Sequence, residues 1–96
     1  MTTEDIKERI APILRNYGVS FAGLFGSQAR GETHEKSDVD ILVRFKEAPG
    51  LFGLVQLEHE LSEALQVKVD VVTERALSPF IRPRALAELK PLYGER

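Results

Sequence analysis

Near its start the chain places apolar residues at helical spacing. Ile6, Ile10, Ile13, Leu14 and Tyr17 fall at i, i+4, i+7, i+8 and i+11, one stripe of an amphipathic helix. Thr2-Thr3-Glu4-Asp5 supplies a Thr cap and acidic residues in the first turn, and Gly18 suits the position just past the end. Pro12, inside that run, is expected to kink the helix or remove one backbone bond. Val19 to Phe25 (VSFAGLF) is an apolar run of strand length, closed by Gly26-Ser27, and the next residues to Ser37 are small and polar, a loop with room for one helical turn from Ser27. Asp38 to Phe45 (DVDILVRF) reads as a second strand, and Lys46 to Gly50 as a connection broken by Pro49 and Gly50. Leu54, Leu57, Leu61 and Leu65 predict an amphipathic helix over 51–65, and Val67 to Thr73 a third strand. Ser78-Pro79 predicts a short turn over 79–82, and a last helix is expected from Arg84 to Lys90, stopped by Pro91.

The resulting order is helix, strand, loop, strand, helix, strand, helix. Three strands interleaved with helices predict an α/β domain, a small sheet covered mainly on one face. The loop of about a dozen residues between the first two strands is compatible with either parallel or antiparallel pairing. At 96 residues, folding removes roughly 60–65% of the surface of the unfolded chain, enough for one core, so residues 1–96 are read as a single domain. With 43% hydrophobic and 29% charged residues, wholesale disorder is excluded. A net charge of −2 lacks the basic excess of a protein that coats nucleic acid or an anionic membrane. The absence of cysteine removes disulfide frameworks, thiolate zinc sites and cysteine nucleophiles together. MTTEDIKERI has no apolar signal core and no apolar run reaches bilayer length, so a cytoplasmic domain without a membrane span is expected.

Three carboxylates stand where strands seldom carry them. Asp38 and Asp40 are two apart on a strand and so point to one face, while Val39, Ile41, Val43 and Phe45 point to the other. Asp70 interrupts an apolar strand and joins them if the second and third strands pair. Such an oxygen-rich cluster suits Mg²⁺ or Mn²⁺. Gly26 lets backbone approach a ligand, the Ser27 hydroxyl and free N–H groups can hold a phosphate, and Arg30 lies three residues on.

Each piece taken alone has a plainer reading: Gly26-Ser27 as a turn, Asp38 and Asp40 as the wet face of an edge strand, Asp70 as a single outward acid. His34 and His59 lack the paired spacing of a zinc site, and Arg82, Arg84 and Lys90 form a mild basic cluster open to a partner or a polyphosphate. Tyr17 and Tyr93 read as core or rim residues. No G-x-x-x-x-G-K-[ST] or G-x-G-x-x-G occurs, and Leu42 breaks the calcium-loop pattern that would start at Asp38.

Taken together, Gly26-Ser27, ten residues, then Asp38-Val39-Asp40 make a G-S-x10-D-x-D pattern, expected by chance in roughly one 100-residue chain per thousand. The run GSQARGETHEKSDVDILV, with Asp70 on a later strand, resembles the signature of the minimal nucleotidyltransferases (MNT family) of the DNA polymerase beta superfamily. The resemblance covers nearly the whole chain. It implies a nucleotidyltransferase fold, α/β (α+β), with a small mixed three-stranded sheet packed against helices. It also implies ATP as co-substrate, Mg²⁺ as two ions, and transfer of a nucleotidyl group to a hydroxyl with release of pyrophosphate. By the motif match Asp38, Asp40 and Asp70 would be the metal-binding and catalytic residues, with Asp70 on the attacking side. Gly26 and Ser27 would hold the β/γ-phosphates, and Arg30 would neutralise the departing pyrophosphate.

Small members of this family resemble the antitoxin half of HEPN/MNT toxin–antitoxin pairs, in which AMP is placed on a tyrosine of the HEPN ribonuclease. That implies a hetero-oligomer with a toxin and no direct nucleic-acid binding. The extra helical domain of larger relatives is not expected within residues 1–96, which leaves nucleotide choice open. Two other readings stand beside this one: an antitoxin that neutralises by binding alone, and a small-molecule nucleotidyltransferase.

Overall fold

A computed structural model of the protein describes residues 2–26 and 39–95. The chain order is α1 (Thr3–Asn16), β1 (Val19–Phe25), β2 (Val39–Phe45), α2 (Gly50–Leu65), β3 (Val69–Val72), a 3₁₀ turn (Glu74–Ala76), α3 (Arg82–Glu88) and β4 (Lys90–Gly94). Helix α1 starts where its cap predicts. The Asp5 amide donates to Thr2 Oγ1 at 3.1 Å and the Thr2 amide donates back to Asp5 Oδ2 at 2.9 Å, a reciprocal capping box. That amide bond, followed by the Thr2 hydroxyl, holds the Asp5 carboxyl below its ordinary value of 3.8. Pro12 sits exposed within α1 without ending it. Gly18, at φ +69°, closes the helix by donating to the Arg15 carbonyl at 3.1 Å.

The sheet has four strands in the order β3-β2-β1-β4. β1 pairs antiparallel with β2 and with β4, which settles the pairing that loop length left open, and β2 pairs parallel with β3 through the α2 crossover. The sheet is therefore mixed, as expected, but with four strands in place of three. The fourth begins at Lys90, where the last helix was expected to end. Pro91, read as a helix stop, is tolerated because β4 is an edge strand that leaves one side unpaired. The last helix runs over Arg82–Glu88 instead of 84–90, with Pro83 in its first turn, where no intrahelical N–H is needed. β3 is shorter than the expected 67–73, because Gln66 takes a left-handed conformation after α2 and Val67-Lys68 serve as connection.

Strand alternation divides the core in two. Val39, Ile41 and Val43 of β2, with Val69 and Val71 of β3 and Ala22 and Leu24 of β1, face α1 and α2. Ile6, Ile10 and Leu14 of α1 and Leu57, Leu61 and Leu65 of α2 close that layer, each at most 2% exposed. Such burial is worth about 1.5–3 kcal/mol per aliphatic side chain. The other face carries a smaller cluster, Phe21, Leu42, Leu77 and Ala85, under the 3₁₀ turn and α3. Arg82 fastens that cover: its Nε and one Nη donate to the carbonyls of Glu74 and Leu77, both at 3.0 Å. Among the described residues the sheet is thus deeply covered on one side and thinly on the other. No helix among the described residues is long and apolar enough to cross a membrane.

Candidate functional site

The thinly covered face receives the carboxylates. Asp40 lies between Val39 and Ile41 and Asp70 between Val69 and Val71, all four of which enter the main core, so both acids point to the α3 side. Asp40 and Asp70 are register partners across the parallel β2–β3 ladder, and Asp40 opposes Phe25 across the antiparallel β1–β2 ladder. Neighbouring strands run about 4.8 Å apart. Both side chains are only partly buried, so water or a ligand reaches them.

Gly26 completes this corner. The residue turns out of β1 at φ +76°, a conformation that glycine adopts without penalty. A Cβ built at Gly26 would lie 2.6 Å from Asp40 Oδ2, so only glycine leaves room for that carboxylate beside the backbone. Gly26, Asp40 and Asp70 therefore meet at one end of three adjacent strands. Ser27, Arg30 and Asp38, along with the helical turn expected from Ser27, lie outside the described residues. Among the described residues no group of three His, Cys, Asp or Glu side chains forms a metal site. The donor chemistry of Asp40 and Asp70, hard carboxylate oxygens on half-buried side chains, fits a divalent cation such as Mg²⁺, and glycine at position 26 leaves room for the Asp40 carboxylate beside the backbone.

Beside Gly26 opens a cleft of about 270 Å³ lined by Phe25, Ile81, Arg84, Ala85 and Glu88. Sequence spacing gave no sign of this wall, since α3 lies more than fifty residues after Gly26 and reaches it only by packing onto the second face of the sheet. The basic cluster read from sequence divides in three. Arg82 is committed to backbone carbonyls, Arg84 lines the cleft, and Lys90 is exposed on β4.

The remaining candidates have structural surroundings. His59 is 72% exposed and lies 3.1 Å from Glu63 on the outer face of α2; His34 lies outside the described residues. Tyr17 and Tyr93 pack against the main core. The Tyr17 hydroxyl also donates to Glu60, a bond that raises its pKa above the ordinary 10.0.

The nucleotidyltransferase domain family matches residues 7–92. A candidate protein adenylyltransferase of Methanocaldococcus jannaschii is 47% identical over 88 residues, 92% of this chain and 95% of its own length. The protein adenylyltransferase MntA of Thermococcus cleftensis is 38% identical over 93 residues, covering 93% and 94%. Among solved structures, a toxin–antitoxin crystallised with AMP-PNP superposes with a TM-score of 0.80 at 28% identity, over 94% of this chain and 74% of that one.

Proposed function

The chain belongs to the nucleotidyltransferase domain family, as a protein adenylyltransferase of the minimal antitoxin (MNT) type, and on that premise we propose that it moves AMP from ATP onto a tyrosine hydroxyl of a cognate HEPN ribonuclease toxin. One observation carries the reading. Gly26, Asp40 and Asp70, from separate parts of the sequence, meet at the end of three strands on the thinly covered face of the sheet. The adenylyltransferase named MntA and the toxin–antitoxin structure holding AMP-PNP support the choice of nucleotide and of partner.

In this reaction the acceptor oxygen attacks the α-phosphorus of ATP. The new P–O bond forms as the bond to the α–β bridging oxygen breaks, and pyrophosphate leaves with that oxygen. Asp70 takes the proton of the acceptor hydroxyl, and Gly26 with Ser27 receives the β- and γ-phosphates through backbone N–H groups and the Ser27 hydroxyl. Arg30 neutralises charge on the departing pyrophosphate. Asp38, Asp40 and Asp70 would hold the Mg²⁺, as two ions, which when bound supply charge neutralisation for the transferring phosphoryl group.

The test is mass spectrometry of the toxin co-expressed with the wild type or with Asp40→Asn or Asp70→Asn. The toxin is expected to gain one or more AMP units on tyrosine with the wild type. Each substitution is expected to lower transfer by on the order of 10³-fold, the loss of about 4 kcal/mol of charge stabilisation. A toxin left unmodified by the wild type and still silenced by the variants would show neutralisation by binding and end the catalytic reading.

A further inference from the structure

Resting on the nucleotide reading above, we infer that Arg84 is a second polyphosphate-binding residue, supplied to the nucleotide site from α3 across the cleft beside Gly26. Gly26 is the fixed point of the argument. The same residue that leaves room for the Asp40 carboxylate also forms one side of the cleft, and Arg84 lines the cleft with it. A phosphate chain held at Gly26 and running away from Asp40 enters that cleft.

The rest of the lining explains why this cation and not another. Phe25, Ile81 and Ala85 supply the apolar part of the lining and Glu88 its acid, and Arg84 is the one cation among them. The Arg84 side chain is 75% exposed, and its Nε donates to Glu88 Oε1 at 3.2 Å on the same helix. That i,i+4 pair uses one of the five N–H donors of the guanidinium and holds the stem along α3. Arg82 cannot take the same part, because its Nε and Nη2 are spent on the carbonyls of Glu74 and Leu77. Those two bonds instead pin the start of α3 to the 3₁₀ turn, which makes Arg82 a positioning residue for the cleft wall. The ligand class follows from the chemistry. A planar, permanently charged fork next to a site for the α-phosphate suits the β- and γ-phosphates of a nucleoside triphosphate, and offers nothing to a nucleoside monophosphate held at the carboxylates.

Isothermal titration of the purified protein with AMP-PNP and with AMP, both in the presence of Mg²⁺, tests the assignment. Arg84→Ala is expected to weaken AMP-PNP binding about 10-fold or more, as the loss of a charge-assisted contact predicts, and to leave AMP binding unchanged. Arg84→Lys is expected to recover part of the loss, since lysine binds phosphate as a point charge. Arg15→Ala removes the same charge at the far end of β1 and is expected to leave both affinities alone. Equal weakening toward AMP and AMP-PNP, equal weakening by Arg15→Ala, or an unchanged Arg84→Ala would overturn the inference while the nucleotide reading stands. A wild-type protein that fails to bind AMP-PNP at all would overturn both, and the two failures are thereby told apart.

Discussion

Gly26 decides more than any other single residue about what the corner of the sheet can hold. Its positive φ excludes most side chains at modest cost, but the 2.6 Å approach of a notional Cβ to Asp40 Oδ2 is the sharper constraint. Gly26→Ala pays a left-handed penalty of about 1–2 kcal/mol and drives the Asp40 carboxylate from its place. It is therefore expected to lower the midpoint of urea unfolding modestly while removing most AMP transfer, and an Ala variant with normal transfer would show that Asp40 does not need its present position. The identity of this residue was readable from sequence as a turn glycine after a buried strand. Asp40 was readable too, as a member of the same pattern, but not its packing against Gly26, because the two are fourteen positions apart and become neighbours only through the antiparallel ladder.

At the scale of elements, α1 shows how far local signals go. Its start, stripe and end follow from Thr2, the apolar spacing and Gly18, all of which act within a few residues of their own position. What local signals leave out is the tie from its last turn to α2, where the Tyr17 hydroxyl donates to Glu60. That bond raises the Tyr17 pKa, so its contribution is fully present below pH 10 and is lost as pH rises through the raised value. At the other end of α1 the depressed Asp5 pKa has the opposite sign, and its contribution is present above pH 3.8 and lost as pH falls through the lowered value. Thermal melts of the wild type and Tyr17→Phe are expected to differ at pH 7, with the wild type higher, and to converge above pH 10. A gap that persists there would mean the hydroxyl stabilises through packing alone. The missed strand belongs to this scale too. KPLYG presents one buried residue, Leu92, and a proline, so its pattern carries little strand signal. β1 recruits it because an uncovered sheet edge leaves N–H and C=O groups in need of partners.

The whole molecule places the candidate site on the side that its described residues pack least. α1 and α2 saturate one face of the sheet, while a 3₁₀ turn and a seven-residue helix cover part of the other, leaving Asp40 and Asp70 within reach of solvent. Two carboxylates set on opposing ladder positions repel one another, a cost that a divalent cation relieves. EDTA is accordingly expected to stop AMP transfer while far-UV circular dichroism stays unchanged, since neither core cluster contains a carboxylate. Restoration by added Mg²⁺ checks the assignment. Loss of secondary structure on chelation would instead make the metal part of the fold.

The sequence by itself determined the two long helices, the first two strands and the candidate chemistry, because a period of 3.6 or 2, a cap and a Gly-Ser turn act over short separations. Its pattern also joined the distant Asp70 to the candidate set, on the condition that β2 and β3 pair. Tertiary structure alone decided that β2 and β3 pair in the register that sets Asp40 against Asp70, that a fourth strand closes the sheet edge, and that Arg84 reaches the cleft beside Gly26. Those three facts depend on which surfaces meet, and hydrogen-bond partners and packing neighbours far apart in the chain leave no periodicity behind them.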